Sequence, residues 1–150
     1  MTTVSSPLTG RAVGLDAVPD PVFSGAMVGP GTAIDPLREP GSEAVSPVDG
    51  ILVSLHPHAF VVVDDEGHGV LTHLGVDTVQ LNGEGFELLA AKGDSVSRGQ
   101  AIVRWDPVSV AAAGKSPLCP VIALEATAEA LTEVADSGEI VAGATLFNWK

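Results

Sequence analysis

Closely spaced glycines and prolines divide the sequence into short apolar segments. The chain has 17 glycines and 11 prolines among its 150 residues, and turn residues at this frequency favour many short strands over a few long helices. Segments rich in strand-forming residues occur at Ile51–Leu55, Ala59–Val63, Val70–Leu74, Thr78–Leu81, Phe86–Ala90, Ala101–Trp105 and Leu118–Leu124. We therefore predict an all-β fold, an antiparallel sandwich or barrel, in a single domain that spans residues 1–150.

A short internal repeat indicates how this β fold is built. Residues 6–15 and 46–55 agree at five of ten aligned positions, and both begin with Ser-Pro. The pattern Gly-x-Ala-Ile also occurs twice, at residues 31–34 and 99–102. Duplication of a small β unit is the simplest explanation, so we predict a sandwich or barrel made from a duplicated hybrid motif.

One or two short helices are predicted between the strands. Asp106 can cap a helix that begins at Pro107 and ends before Gly114, because an aspartate before a first-turn proline is a common helix start. Residues 126–137 form the second predicted helix. Pro120 interrupts the last strand segment, and proline cannot donate a ladder hydrogen bond, so this segment is predicted to be an edge strand or to bend.

The charge and cysteine content limit the partners and the compartment. A formal net charge of −12 repels nucleic acid and anionic lipid and suits a partner with a basic face. The single cysteine, Cys119, excludes an internal disulfide. There is no secretory signal and no apolar run as long as a membrane span, so we expect a cytoplasmic protein without direct membrane insertion.

Four histidines within eighteen positions are the main candidates for chemistry. They are His56, His58, His68 and His73, and the chain has no phosphate-binding glycine loop, nucleophile elbow or Cys-x-x-Cys motif beside them. His73 ends an apolar strand before Gly75, which can present its imidazole at a surface depression. A neutral imidazole has one unprotonated nitrogen that can act as a nucleophile. From the residues alone, a half-buried histidine bonded to a carbonyl remains the alternative.

The segment from His73 to Phe86, HLGVDTVQLNGEGF, resembles the signature of the glucose-type IIA family of bacterial sugar phosphotransferase systems. The resemblance is collinear over nearly the whole chain. Further matching segments are Pro7–Gly10, Val18–Phe23, Val28–Ile34, Pro47–Gly50, His58–Phe60, residues 93–102 and residues 118–121.

This resemblance implies a phosphocarrier that needs no cofactor and no metal. It would accept a phosphoryl group from the protein HPr on His73 and pass it to the IIB domain of a sugar permease, and regulatory docking to other proteins is also open. The resemblance implies that His58 lies beside the phosphoryl group and stabilises it. It also implies partner-binding residues at Asp20, Val22, Phe23 and Asp77.

The chain departs from the family pattern before its second active-site histidine. The family usually has a threonine two residues before that histidine, whereas this chain has His56 there, on a connection that is about two residues shorter. Either His56 or a water molecule replaces the missing hydroxyl, or the donor network differs. We interpret His56 and His68 as surface residues, and Asp20 and Asp77 are equally consistent with turn residues.

Two other classes of protein share part of this pattern. A lysostaphin-type zinc peptidase uses His-x-x-x-Asp and His-x-His as ligands, which His56, His58, His73 and Asp77 could provide. The order of the two motifs is reversed here, which argues against a peptidase. Residues 93–100 resemble half of a biotinyl or lipoyl carrier, but the Met-Lys-Met motif of such carriers is absent.

Overall fold

A computed structural model describes residues 1–150, and every registered strand pair in it is antiparallel. The helices are short: α1 is Pro21–Ser24 and α2 is Pro107–Ala112. The strands are β1 Thr2–Ser5, β2 Gly10–Ala12, β3 Gly31–Pro36, β4 Ser42–Val45, β5 Gly50–His56, β6 Ala59–Val63, β7 Gly69–His73, β8 Phe86–Leu88, β9 Ser95–Val96, β10 Ala101–Trp105, β11 Cys119–Ala123, β12 Leu131–Thr132, β13 Glu139–Ile140 and β14 Thr145–Trp149.

The strands form three sheets around one main core. The largest sheet has the order β13-β2-β3-β11-β7-β6-β5-β9, and the smaller ones are β4-β10-β8 and β1-β14-β12. The core between them contains the fully buried side chains of Phe60, Trp105 and Phe147. The prediction of an antiparallel all-β fold with short helices is confirmed.

The two copies of the sequence repeat bind each other through reciprocal backbone hydrogen bonds. The N–H of Ser5 donates to the carbonyl of Pro47, and the N–H of Val45 donates to the carbonyl of Pro7, both at 2.9 Å. Such a reciprocal pair arises when two equivalent segments meet about a local two-fold axis. The arrangement is what duplication of one β unit produces.

The serines that open the repeat have matching environments. The hydroxyl of Ser6 donates to the carbonyl of Leu8 at 2.6 Å, and the hydroxyl of Ser46 donates to that of Val48 at 2.7 Å. Both serines are fully buried, so each hydroxyl needs such an internal partner. The Ser-Pro turn is therefore the same structural unit in both copies.

Several predicted elements are confirmed and three are wrong. β6 and β10 have the predicted bounds, and α2 begins as expected, with the Asp106 carboxylate accepting from the N–H of Val108 at 3.0 Å. Residues 78–81, predicted as a strand, form a 3-10 turn instead. The N–H of Gln80 donates to the carbonyl of Asp77 and that of Asn82 to the carbonyl of Val79, both at 3.2 Å, and hydrogen bonds over three residues define a 3-10 turn.

The predicted helix over residues 126–137 is also wrong. Only residues 128–130 form a single 3-10 turn, after which β12 pairs with β14. The N–H of Ala135 then donates to the carbonyl of Leu146 at 2.9 Å. Pairing with β14 satisfies the backbone here, and this tertiary contact overrides a weak local preference for helix.

Pro120 lies in a central strand rather than at an edge. β11 is flanked by β3 and β7, and all five of its residues are buried. The last registered pair between β11 and β7 is Val121 with Thr72, which places Pro120 one position further along, opposite the end of β7. Pro120 stays paired with Ala33 on β3, and no registered pair with β7 depends on its missing N–H.

Candidate phosphoryl-transfer site

His73 is the last residue of β7, and one nitrogen of its ring is held by the following turn. Its Nδ1 lies 2.5 Å from the carbonyl oxygen of Gly75. A carbonyl oxygen only accepts hydrogen bonds, so Nδ1 carries the hydrogen and donates it. The neutral ring therefore keeps its lone pair on Nε2, which is the nitrogen that remains available as a nucleophile.

Gly75 is a position where a side chain cannot be accommodated. Its φ is +80°, and a Cβ atom built there would lie 2.7 Å from Cγ2 of Thr78 and 2.9 Å from the carbonyl oxygen of Ser116. The next residue is fixed as well, because the N–H of Val76 donates to that same Ser116 carbonyl at 2.9 Å. The acceptor of the His73 hydrogen bond is thus rigidly placed.

The two central histidines are attached to the same stretch of backbone. The N–H of Leu74 donates to the carbonyl of His58 at 2.7 Å. The buried hydroxyl of Thr78 donates to the carbonyl of Leu74, also at 2.7 Å. Two segments that are distant in sequence are thereby locked together next to the catalytic candidate.

His58 lies in the two-residue turn between β5 and β6 and faces His73. The turn consists of Pro57 and His58, since His56 pairs with Ala59 across it. The ring centroids of His58 and His73 are 5.3 Å apart, with an interplanar angle of 67°. The structure therefore brings together the two histidines that the sequence singled out.

The short helix α1 also contributes a side chain that packs against the His73 ring. Asp20 caps α1 by accepting from the N–H of Val22 at 2.9 Å. Phe23, which is only 9% exposed, packs against His73 with a centroid distance of 5.1 Å. Val22 is 41% exposed, so α1 presents one apolar side chain outward while the other supports the imidazole.

Burial and nearby charge shift the pKa of His73 in opposite directions. Burial lowers its pKa below the usual value for histidine, because an imidazolium loses solvation there. The hydrogen bond to Gly75 and the carboxylates of Asp20 and Asp77 raise the pKa, but less than burial lowers it. His73 is consequently neutral at pH 7, which is the form that can act as a nucleophile.

The pKa of His58 is also lowered. Burial is the largest cause, followed by repulsion between a positively charged His58 and the rings of His73 and His56. The three rings are thus electrostatically coupled, and in the absence of another charge they disfavour protonation of His58.

The rim contains a basic residue that sequence reasoning missed. Lys115 and Asp77 line the same cavity of about 290 Å³, and the Lys115 ammonium donates to Oε1 of Gln80 at 2.6 Å. Lys115 is far from both histidines in the sequence and follows α2, so no local motif links it to them. The bridge between Val76 and Ser116 brings that segment to the rim.

His68 lies at the opposite end of β7 and does not join the other three histidines. Its ring stacks on Trp149 with centroids 4.0 Å apart, and its Nδ1 is 2.8 Å from the Thr2 hydroxyl. His68, Asp64 and Glu66 are the one group of three such residues whose ligand atoms lie within 4.8 Å of one another. The four residues of the peptidase alternative do not converge in this way.

Comparison with known proteins identifies the family. Residues 2–128 match the family described as "phosphoenolpyruvate-dependent sugar phosphotransferase system, EIIA 1". The chain belongs to this family. Among EIIA proteins, the chain is 37% identical over 144 residues to the glucose-specific EIIA component of Staphylococcus aureus. The aligned region covers 95% of this chain and 85% of that protein. It is 38% identical over 138 residues to that of Haemophilus influenzae, covering 91% and 81%.

A solved EIIA structure has the same fold. The glucose permease IIA from Mycoplasma capricolum superimposes with a TM-score of 0.87 at 34% sequence identity, covering 97% of this chain and 93% of the other. The chain is thus an EIIA component of a sugar phosphotransferase system, and the comparisons do not favour the peptidase alternative. Neither helix of this EIIA protein has the length and apolar character needed to cross a membrane.

Proposed function

We propose that this EIIA protein carries a phosphoryl group on Nε2 of His73, which it receives from HPr and passes to the IIB domain of a sugar permease. The observation that carries the proposal is the 2.5 Å contact between Nδ1 of His73 and the Gly75 carbonyl. That contact leaves Nε2 as the free nucleophile in a ring that is neutral at pH 7. We further propose a single-domain cytoplasmic carrier, as the sequence predicts.

Each transfer exchanges one bond to phosphorus for another. In the first step the lone pair on Nε2 of His73 forms a bond to phosphorus while the bond between phosphorus and the donor group of HPr breaks. In the second step the bond to Nε2 breaks as the acceptor group of the IIB domain takes the phosphoryl group. Nδ1 keeps its hydrogen throughout, because the Gly75 carbonyl continues to accept it.

His58 is proposed to stabilise the phosphoryl group on His73. Its ring is 5.3 Å from that of His73, so an N–H of His58 can reach an oxygen on phosphorus attached to Nε2. Hydrogen bonds from a positively charged donor to an anionic oxygen are stronger than neutral ones. His58 is thus the donor that this chain supplies to the transferring group.

A cation on HPr is proposed to complete the site. Asp20 and Asp77 act on His73 electrostatically, and carboxylates of this kind repel the phosphoryl group but attract an arginine that arrives with the partner. Val22 offers exposed apolar surface beside the histidine, and Phe23 supports the ring. The partner-binding surface would therefore combine an exposed apolar side chain with carboxylates that attract a positively charged partner.

Incubation with phosphoenolpyruvate, enzyme I and HPr tests this function. We expect one phosphoryl group per chain, located on His73 by mass spectrometry, labile in acid and stable in base. His73→Ala should abolish the modification, whereas His68→Gln, at the far end of β7, should leave it intact. Normal stoichiometry of phosphorylation in folded His73→Ala protein would overturn the proposal.

A further inference from the structure

A third imidazole continues the pair formed by His58 and His73. His56, the last residue of β5, is exposed, and its ring centroid is 5.7 Å from that of His58 with an interplanar angle of 31°. With the 5.3 Å separation between His58 and His73, the three rings form a row. The row runs from the half-buried nucleophile outward to solvent.

Strand register explains why His56 is in this row. His56 pairs with Ala59 on β6, and Ala59 pairs in turn with His73 on β7. Residues directly opposite one another in antiparallel strands project from the same face of the sheet. His56 and His73 therefore lie on one face, two strand spacings or about 10 Å apart, with only the methyl group of Ala59 between them in the sheet. The His58 ring bridges that space from the turn.

The charges that act on His73 are carboxylates, and the imidazole rings of the row are groups that can bind a proton when negative charge is added nearby. Asp20 and Asp77 are the charged residues that act on His73. Two basic side chains are engaged elsewhere, Arg38 with Asp35 and Arg104 with Glu43 and Glu87, and Lys115 at the rim donates to Gln80. A phosphoryl group brings nearly two further negative charges at pH 7.

We propose that His56 takes up a proton from solvent when His73 is phosphorylated and, acting through His58, stabilises the phosphorylated form. His56 is a positioning residue in this scheme, since it contacts His58 and not the phosphoryl group. A protonated His56 favours the orientation in which His58 turns an N–H toward phosphorus. The inference rests on the proposed function for the site of modification, His73.

The electrostatics of the unmodified protein agree with this scheme. Repulsion between the rings, together with burial, holds the pKa of His58 low when no phosphoryl group is present. A nearby dianion acts in the opposite direction, because it favours the protonated forms of both His58 and His56. Phosphorylation therefore opposes the effects that disfavour protonation of His58 in the unmodified protein.

Histidine side-chain NMR, in titrations between about pH 5.5 and 8.5, tests the proton uptake directly. The protein is measured unmodified and after chemical phosphorylation with phosphoramidate, in which an imidazole nitrogen displaces ammonia from phosphorus, and only protein that mass spectrometry shows to carry one phosphoryl group, on His73, is compared. We expect the pKa of His56 to be higher in the phosphorylated protein, while that of His68 stays unchanged. An identical His56 titration in the two forms would overturn the proposal.

The equilibrium of phosphoryl exchange with HPr tests the stabilisation. His56→Gln, which is polar but cannot be protonated, should shift the equilibrium toward phospho-HPr by roughly three- to tenfold near pH 6.5, since a shift of one pKa unit corresponds to a factor of ten. His56→Lys should preserve the wild-type equilibrium near pH 6.5 and weaken its pH dependence across this range, leaving the part that His58 contributes. His68→Gln is the control and should behave like wild type.

The outcomes separate this inference from the proposed function. If wild-type protein accepts nothing from phospho-HPr, the proposed function fails, whereas the phosphoramidate titration still reports on His56. If transfer proceeds normally but His56→Gln matches wild type in equilibrium and pH dependence, the role of His56 is refuted. Loss of transfer in both His56→Gln and His56→Lys would also refute it, because a requirement for charge is met by lysine.

Discussion

The Nδ1 atom of His73 donates to the carbonyl oxygen of Gly75, two residues later in the chain, at 2.5 Å. This contact links the tautomer of the His73 ring to the backbone conformation of a glycine. The left-handed φ of Gly75 turns its carbonyl back toward the ring, and close neighbours leave no room for a side chain there. The conformation of the turn thus determines which nitrogen of His73 can react.

Gly75→Ala should impair both stability and transfer. The left-handed backbone and the clash with Thr78 and Ser116 together should lower the free energy of unfolding by about 2–5 kcal/mol. Gly67→Ala is a matched control, because Gly67 has the same φ of +80° but no atom within 4 Å of an added Cβ. Gly67→Ala should lower the free energy of unfolding by only about 1–2 kcal/mol. Urea denaturation and transfer rates at equal folded fraction measure both effects; equal losses in the two variants would contradict the packing argument.

Thr72→Val and Thr78→Val should change stability in opposite directions. Both threonines are buried, but the Thr72 hydroxyl has no hydrogen-bond partner, whereas that of Thr78 donates to the Leu74 carbonyl. Replacing the unpaired hydroxyl by a methyl group should stabilise the fold by about 1–3 kcal/mol, and removing the paired one should destabilise it by a similar amount. Denaturant midpoints measure both, and a destabilised Thr72→Val protein would show that its hydroxyl has a partner in solution.

His58→Gln should separate the two half-reactions. The glutamine amide can still donate a hydrogen bond, so acceptance from phospho-HPr should largely survive. Onward transfer to the IIB domain should slow, because an amide cannot add the positive charge that a protonated His58 offers to the phosphoryl group. Single-turnover kinetics measure each step, and wild-type rates in both would make His58 a bystander.

Asp20→Asn and Asp77→Asn should weaken the encounter with phospho-HPr. Each substitution removes a charge that faces His73, so we expect KM to rise by roughly three- to tenfold and its salt dependence to flatten. Asparagine still caps helices, which preserves α1 in Asp20→Asn. Asp65→Asn removes an equal charge from the β6–β7 turn and is the control. If the salt dependence of KM in both variants matches that of wild type and Asp65→Asn, Asp20 and Asp77 do not attract the partner and act only as turn residues.

The elements that could be predicted from the sequence are those whose signals are local. The segments 59–63 and 101–105 are strands because each is a short apolar run bounded by turn residues. The start of α2 follows from Asp106 and Pro107 in the same way. The predicted helix over residues 126–137 is wrong, because pairing of β12 with the distant β14 outweighed a weak local preference for helix.

The candidate site was found from the sequence only in part. The segment from His73 to Phe86 and the motif at His58 carried both histidines, since they are short motifs with distinctive residue order. Lys115 at the rim lay outside any such motif, and no motif showed that the Gly75 carbonyl accepts the hydrogen bond from His73. Pro120, read as an edge signal, lies in a central strand because the neighbouring strand ends beside it.

The sequence by itself determined the β class, the duplication and the identity of the two central histidines, because these depend on composition, repetition and local order. Only the tertiary structure decided the tautomer of His73, the row that includes His56, and the reciprocal bonds between Ser5, Pro47, Val45 and Pro7. Those features depend on strand register and on hydrogen bonds between segments far apart in the chain. Register is a property of the whole packed sheet, so no single segment encodes it.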